Sequence, residues 1–225
     1  MNEMFCFQCQ QTAHNTGCEG KTGVCGKKAD TANYQDELIG ALIGLARAAE
    51  NGNPAEKTDE LVLKGLFTTI TNVNFNNETI KKLKTEIEKE KGRISSEHFE
   101  DYDMKNIWDA HEDVRSLKSL VLFGIKGMAA YAYHSLVLGK TDREVTDFFY
   151  KALRLIGEDA SPEALLELVM ETGKVNFKCM AMLDAANTDA YGDPVPTTVP
   201  LTIEKGPFIV VSGHDLHDMK LLLEQ

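Results

Sequence analysis

Four of the five cysteines of this chain fall within its first 25 residues, as Cys6, Cys9, Cys18 and Cys25, and the fifth, Cys179, stands far from them. The spacing is C-x2-C-x8-C-x6-C. Hydrophobic packing gives no reason for such a cluster, so this stretch constrains the fold more than any other. Glycines at Gly17, Gly20, Gly23 and Gly26 are interleaved with the cysteines. Without a Cβ they can take backbone conformations closed to other residues, so the loop can turn back and bring its thiols together. Residues 1–28 therefore read as a ligand-holding loop, and the remainder as the body that mounts it.

The function classes excluded follow from charge and patterning. A formal net charge of −11 leaves no basic face for a phosphate backbone or an anionic lipid surface, so neither nucleic acid nor membrane is expected as a partner. No run approaches the roughly 18 uncharged apolar residues of a spanning helix. No cationic head followed by an apolar run opens the chain, so a cytoplasmic location is expected. In a reducing compartment clustered cysteines serve as metal ligands or redox groups more often than as disulfides.

Three readings of the loop compete. Two disulfides suit a secreted mini-protein, but this chain has apolar residues enough for its own core. Structural zinc accepts four cysteines, usually in two close-set pairs, and the six-residue gap between Cys18 and Cys25 is loose for it. An iron–sulfur cluster is larger than one ion and accommodates gaps of two, eight and six, so it ranks first. The ferredoxin run is absent, since Cys25 is followed by Gly26 rather than proline. Cys179 sits among Phe177, Met180, Met182 and Leu183 and reads as a core thiol.

The body reads as mainly α. Helices are expected over about 32–50 (capped by Asp30-Thr31, with Leu38, Ile39, Leu42, Leu45, Ala46 and Ala49 inward), about 54–73, and about 78–91. The third carries an apolar stripe of only Ile80, Leu83 and Ile87 under many lysines and glutamates, and reads as a solvated outer helix. Residues of about 92–110 read as a connector. A second group follows: about 111–138 ending at Gly139, about 142–156 capped by Thr141, about 162–172 opened by Ser161-Pro162, and about 175–187. Together these make two three-helix-bundle-like groups over 29–190.

From residue 191 the texture changes. Prolines at Pro194, Pro196 and Pro200 stop helix. Val199–Ile203 and Phe208–Val211 read as short strands, the latter buried on both faces, then a Ser212-Gly213 turn and a helix over Leu216–Glu224. Strand, turn and helix open a parallel α/β unit with no second strand to pair with, so 191–225 is expected to be the start of a truncated α/β domain.

The motifs Phe5-Cys-Phe-Gln-Cys-Gln-Gln-Thr-Ala13, Asn15-Thr-Gly-Cys18 and Val24-Cys-Gly-Lys27 resemble the start of the hybrid cluster proteins, also called prismane proteins or hydroxylamine reductases. The resemblance continues in Leu66–Asn72, Glu112–Leu117, Ala185–Thr188 and Val211–Leu216, and so spans the chain. It implies an N-terminal domain of two three-helix bundles followed by Rossmann-like α/β domains. It also implies that Cys6, Cys9, Cys18 and Cys25 ligate a [4Fe–4S] cluster, or in some members a [2Fe–2S] centre. The last gap here is one residue longer than the common pattern of two, eight and five.

His214, at a strand-to-helix turn, could by its position cap the helix or face solvent. The resemblance implies instead that it ligates a second, iron–sulfur–oxygen hybrid cluster whose other ligands lie beyond Gln225. His217 reads as a surface residue, and so does His14, with hydrogen bonding to a cluster sulfur as the alternative. The activity implied for the longer protein is reduction of hydroxylamine to ammonia, with related nitric-oxide chemistry. Electrons from an external donor would pass through the N-terminal cluster, and this chain alone would be inactive. From another class, a zinc-stabilised helical interaction module without redox role stays open.

Overall fold

A computed structural model describes residues 3–9, 11–70, 74–213 and 215–225. Among them lie two short strands, β1 (Met4–Cys6) and β2 (Cys18–Gly20), and eight helices: α1 (Ala29–Asn51), α2 (Glu56–Thr68), α3 (Asn77–Ile94), α4 (Lys105–Trp108), α5 (Glu112–Val137), α6 (Arg143–Ile156), α7 (Pro162–Tyr191) and α8 (Leu216–Glu224). The fold is mainly α. Residues Met1–Gly192 make one compact unit and Asp193–Gln225 a second.

In the first unit α1, α2 and α3 pack on one another, as do α5, α6 and α7, and the two groups of three meet through α2 against α5 and α1 against α6. α1 is buried almost all round because it serves both groups: Leu38, Ile39, Leu42, Ile43 and Leu45 are closed to solvent. A helix apolar on every face belongs in a core. The connector crosses α1 at Gly40. The Tyr102 N–H donates to the Gly40 carbonyl at 3.1 Å, and a Cβ at Gly40 would lie 2.2 Å from the Tyr102 oxygen. Glycine is what lets the two backbones touch.

Several helix ends differ from the expectation. α1 begins at Ala29, and neither Asp30 nor Thr31 caps it. α2 runs over Glu56–Thr68, within the expected span; Thr71, Asn72 and Val73 lie outside the described residues. α3 is capped by Asn76, whose side chain accepts from the N–H groups of Glu78 and Thr79. It is not wholly a solvated outer helix, because Glu90 and Lys91 are buried. Arg93 and Thr58 bind Glu90, and Asp101 binds Lys91 at 2.6 Å. Asp142, not Thr141, caps α6, accepting from the Val145 N–H. α7 is one continuous helix where two were expected: Gly173 meets nothing within 4 Å, and a lone glycine inside a helix costs only about 1 kcal/mol. Ser161 and Pro162 open α7 and Gly139 closes α5 as expected, Gly139 at φ 76°.

By length and composition α5 could cross a membrane, yet it is a packed helix of this unit, set against α2, α6 and α7. In the second unit α8 forms where expected, with Asp215 as its cap. Val199–Ile203 and Phe208–Val211 are not strands. A strand needs a neighbour for its N–H and C=O groups, and the described residues supply none: the only sheet is β1 with β2. Phe208, Ile209, Val210 and Val211 are all exposed.

Candidate metal centre

The cysteine loop is held by a small antiparallel ladder. β1 and β2 pair Met4 with Gly20, Phe5 with Glu19 and Cys6 with Cys18. An isolated bridge between Thr22 and Lys28 closes the rest of the loop onto the start of α1, with the Gly23 N–H donating to the Lys27 carbonyl at 2.8 Å. The turn between the strands passes through left-handed backbone at His14 (φ 53°) and Asn15 (φ 59°) and then Gly17 at φ 140°. A Cβ on Gly17 would lie 2.4 Å from the Phe5 ring. Glycine there allows both the turn and the ring packing.

Phe5 and Phe7 fasten the loop to the helices. Phe7 stands edge-on to Trp108 at 4.8 Å and to Phe123 at 5.8 Å between ring centroids, and Phe5 lies 6.2 Å from Trp108. These rings belong to the periphery of the main hydrophobic core. The cysteine turn is thereby mounted on α4 and α5.

Cys6, Cys9, Cys18 and Cys25 all line one small pocket, together with Met4, Gln11, Gly23, Val24 and Lys27. All are free thiols. Hydrogen bonds from the backbone at Val24 and Ala13, with the Thr12 hydroxyl 3.7 Å away, hold the Cys18 thiol below its usual range. Burial pushes the Cys6 thiol up. Among the described residues no three His, Cys, Asp or Glu side chains converge closely enough to hold a single metal ion. Four soft sulfur donors along one pocket, one with N–H and O–H groups aimed at it, are a donor set that fits an iron–sulfur group.

Beneath the loop lie two buried lysines that the sequence reading passed over. Lys27 is 1% exposed and donates to Gln35 Oε1 at 2.7 Å, while Gln35 donates to the Asn74 carbonyl at 2.9 Å. Lys126, on α5, is 3% exposed and donates to Gln8 Oε1 at 3.0 Å and to the Thr69 carbonyl at 3.3 Å. Burial pulls the Lys126 ammonium down from its ordinary pKa, and burial likewise pushes the Asp36 carboxyl up. One signal was available: Lys126 interrupts the otherwise apolar run from Leu120 to Ala132.

The other singled-out residues lie elsewhere. His14 is exposed on the turn. Cys179 is fully buried, with its Sγ 3.6 Å from the Met128 carbonyl. His217 is half-buried on α8. His214 lies outside the described residues.

Comparison with known proteins completes the picture. The family model of the Prismane/CO dehydrogenase family matches residues 4–225. The chain is similar to proteins named hydroxylamine reductase from Solidesulfovibrio magneticus, at 42% identity over 99% of this chain and 46% of the relative. Those of Caldanaerobacter subterraneus subsp. tengcongensis, at 43%, and Desulfitobacterium hafniense, at 40%, match with the same two coverages. The chain thus spans about half the length of the curated relatives it matches. A sequence match over nearly every residue, at such identities, makes this chain a member of the Prismane/CO dehydrogenase family.

Proposed function

We propose that Cys6, Cys9, Cys18 and Cys25 hold a [4Fe–4S] cluster and that this chain is the electron-relaying portion of a hydroxylamine-reducing oxidoreductase. The observation that carries the reading is the gathering of the four thiols along one pocket. A bound cluster supplies reversible storage of one electron. The chain's own residues do the rest. The four thiolates bind, the donors around Cys18 spread its negative charge, and Phe5, Phe7 and Trp108 shield the loop on its helix side.

In this reading the loop of 1–28 serves the helical body of 29–190, and 191–225 contributes to an α/β domain. His214 ligates a hybrid cluster whose remaining ligands lie in the half of the family's length that this chain does not span. Reduction of hydroxylamine by an external donor needs that second half. The names of the relatives support the substrate. A reducing cytoplasm suits thiols kept free for metal.

The competing reading is a zinc-stabilised helical module. A lone zinc usually takes its four cysteines from two close-set pairs, and the six-residue gap from Cys18 to Cys25 is loose for that. Anaerobic purification followed by iron, acid-labile sulfide and zinc analysis separates the two. Iron and sulfide in about equal amounts, near four per chain for a cubane, are expected. Zinc without sulfide overturns the electron-relay reading.

A further inference from the structure

A buried lysine that touches no carboxylate needs an account. Taking an ammonium out of water carries a large desolvation penalty, and neutral acceptors return only part of it. Lys126 sits at the crossing of three elements. Its own backbone is in the middle of α5, one acceptor is the carbonyl of Thr69 at the end of α2, and the other is Gln8, between Cys6 and Cys9. A methionine of similar length would fill the same space on α5 without the penalty. What the lysine adds is positive charge and a tether.

The electrostatic neighbours of Lys126 show what that charge answers. Asp36 and Cys6 favour the ammonium, while Lys27 opposes it. Lys126 and Asp36 act on each other through space, each favouring the other's charged form. Lys27 and Lys126 are both buried and oppose each other's charge, with Asp36 a neighbour of both, and Lys27 itself lines the cysteine pocket. Like charges buried side by side are unfavourable unless an anion faces them. One carboxylate, Asp36, answers both lysines, and the loop they support carries four thiols that, as metal-bound thiolates, would add the further negative charge.

We propose that Lys126 is a positioning residue of the cysteine loop, tying the Cys6–Cys9 turn to α5 through Gln8 and countering the charge of thiolates that hold an iron–sulfur group. The proposal rests on the cluster reading above. It acts through Gln8 and through space, without contact between Lys126 and the metal. Positive charge at this place favours the reduced, more negative state, so its removal makes reduction harder.

The test uses the whole 225-residue chain as wild type, Lys126→Met and Gln8→Ala, each made and reconstituted with iron and sulfide without oxygen. Two measurements are made. One is the midpoint potential, followed by electron paramagnetic resonance. The other is amide hydrogen exchange of β1 and β2 in the metal-free, reduced chain. In Lys126→Met, ladder amides should exchange at least tenfold faster while α3 amides keep their protection. Reduction should become about tenfold less favourable, a downward shift of about 59 mV for a one-electron couple. Gln8→Ala keeps the charge and loses the tether, so ladder exchange should quicken with a smaller change in potential. Unchanged ladder exchange and unchanged potential in Lys126→Met overturn the proposal. If that variant does not fold, a Gln8→Ala chain with wild-type ladder exchange overturns it instead. Failure of the wild type to take up iron and sulfide sinks the cluster reading by itself, and the exchange arm then still decides whether Lys126 holds the loop.

Discussion

Cys6 and Cys18 face each other in register across the β1–β2 ladder, although eleven residues of loop separate them in sequence. Directly opposed residues of an antiparallel pair have Cα atoms about 4.5–5.5 Å apart, inside the range a disulfide spans. In the metal-free chain a mild thiol oxidant such as diamide should therefore join Cys6 to Cys18 before any other pair. Peptide mapping by mass spectrometry reads the cross-link directly. In a chain loaded with iron and sulfide the same treatment should leave the pair unlinked. A dominant Cys9–Cys25 link instead would mean that the ladder does not set thiol proximity.

Gly17 is the point at which the loop's backbone and its anchoring ring compete for space. Its φ of 140° and the Phe5 ring 2.4 Å from a Cβ there act together. Gly17→Ala must either rotate the backbone or expel Phe5 from Trp108 and Phe7, and such overpacking costs about 1–3 kcal/mol. Because the loop lies at the edge of the helical core, the cost should fall on the loop alone. Circular dichroism should show unchanged helix content, while iron uptake on reconstitution drops well below that of the wild type. Full iron uptake would show that the loop adapts around the added methyl.

Cys179 gives an internal contrast to the loop thiols. It is closed to solvent and burial pushes its pKa up to about 11. Since the thiolate is the reactive form, alkylation of the folded, metal-free chain at pH about 8 should label the part-exposed Cys9 and Cys25 first, Cys6 and the buried Cys18 more slowly, and spare Cys179. Adding denaturant should bring the fifth label. Mass spectrometry counts them. A fifth label under native conditions would mean that α5 and α7 separate readily.

Much of this was legible beforehand where one residue type has one physical use. Ser161-Pro162 and Gly139 marked helix ends because a cap oxygen, a fixed φ and a missing Cβ act locally. The cysteine spacing points to a shared site because four thiols in a glycine-rich loop of a chain with its own core suit metal ligation better than disulfides. What escaped depends on partners distant in sequence. The Lys126–Gln8 bond spans 118 residues, and the burial of Glu90 and Lys91 depends on Thr58 and Asp101. α7 runs unbroken from Pro162 to Tyr191 where two helices are expected, and the neighbour it packs on most is α5. The residue types of Phe208–Val211 predict a strand, but a ladder needs a neighbour that no local pattern supplies.

Glu90 shows how a carboxylate on an apparently solvated helix comes to govern acid stability. It is only 7% exposed. Arg93 grips it through two nitrogens, Nη2 at 2.7 Å and Nε at 2.9 Å, and Thr58 in the first turn of α2 donates its hydroxyl to the same group. The Arg93 hydrogen bonds hold the Glu90 carboxyl below the usual carboxylate range, with burial opposing them. The unfolded chain then binds the proton more tightly than the folded one, so the contribution to stability is complete above pH about 5 and is lost as pH falls through the depressed folded pKa. Glu90→Gln should cost about 1.5–3 kcal/mol at neutral pH, the range for hydrogen bonds to a charged group, with partial exposure of Arg93 placing it toward the lower end. Urea unfolding at pH 7 and again at pH 3.5 to 4 measures it. The gap between wild type and variant should narrow in acid. An equal gap at both values would assign the loss to packing rather than to the ion pair between α3 and its own last turn.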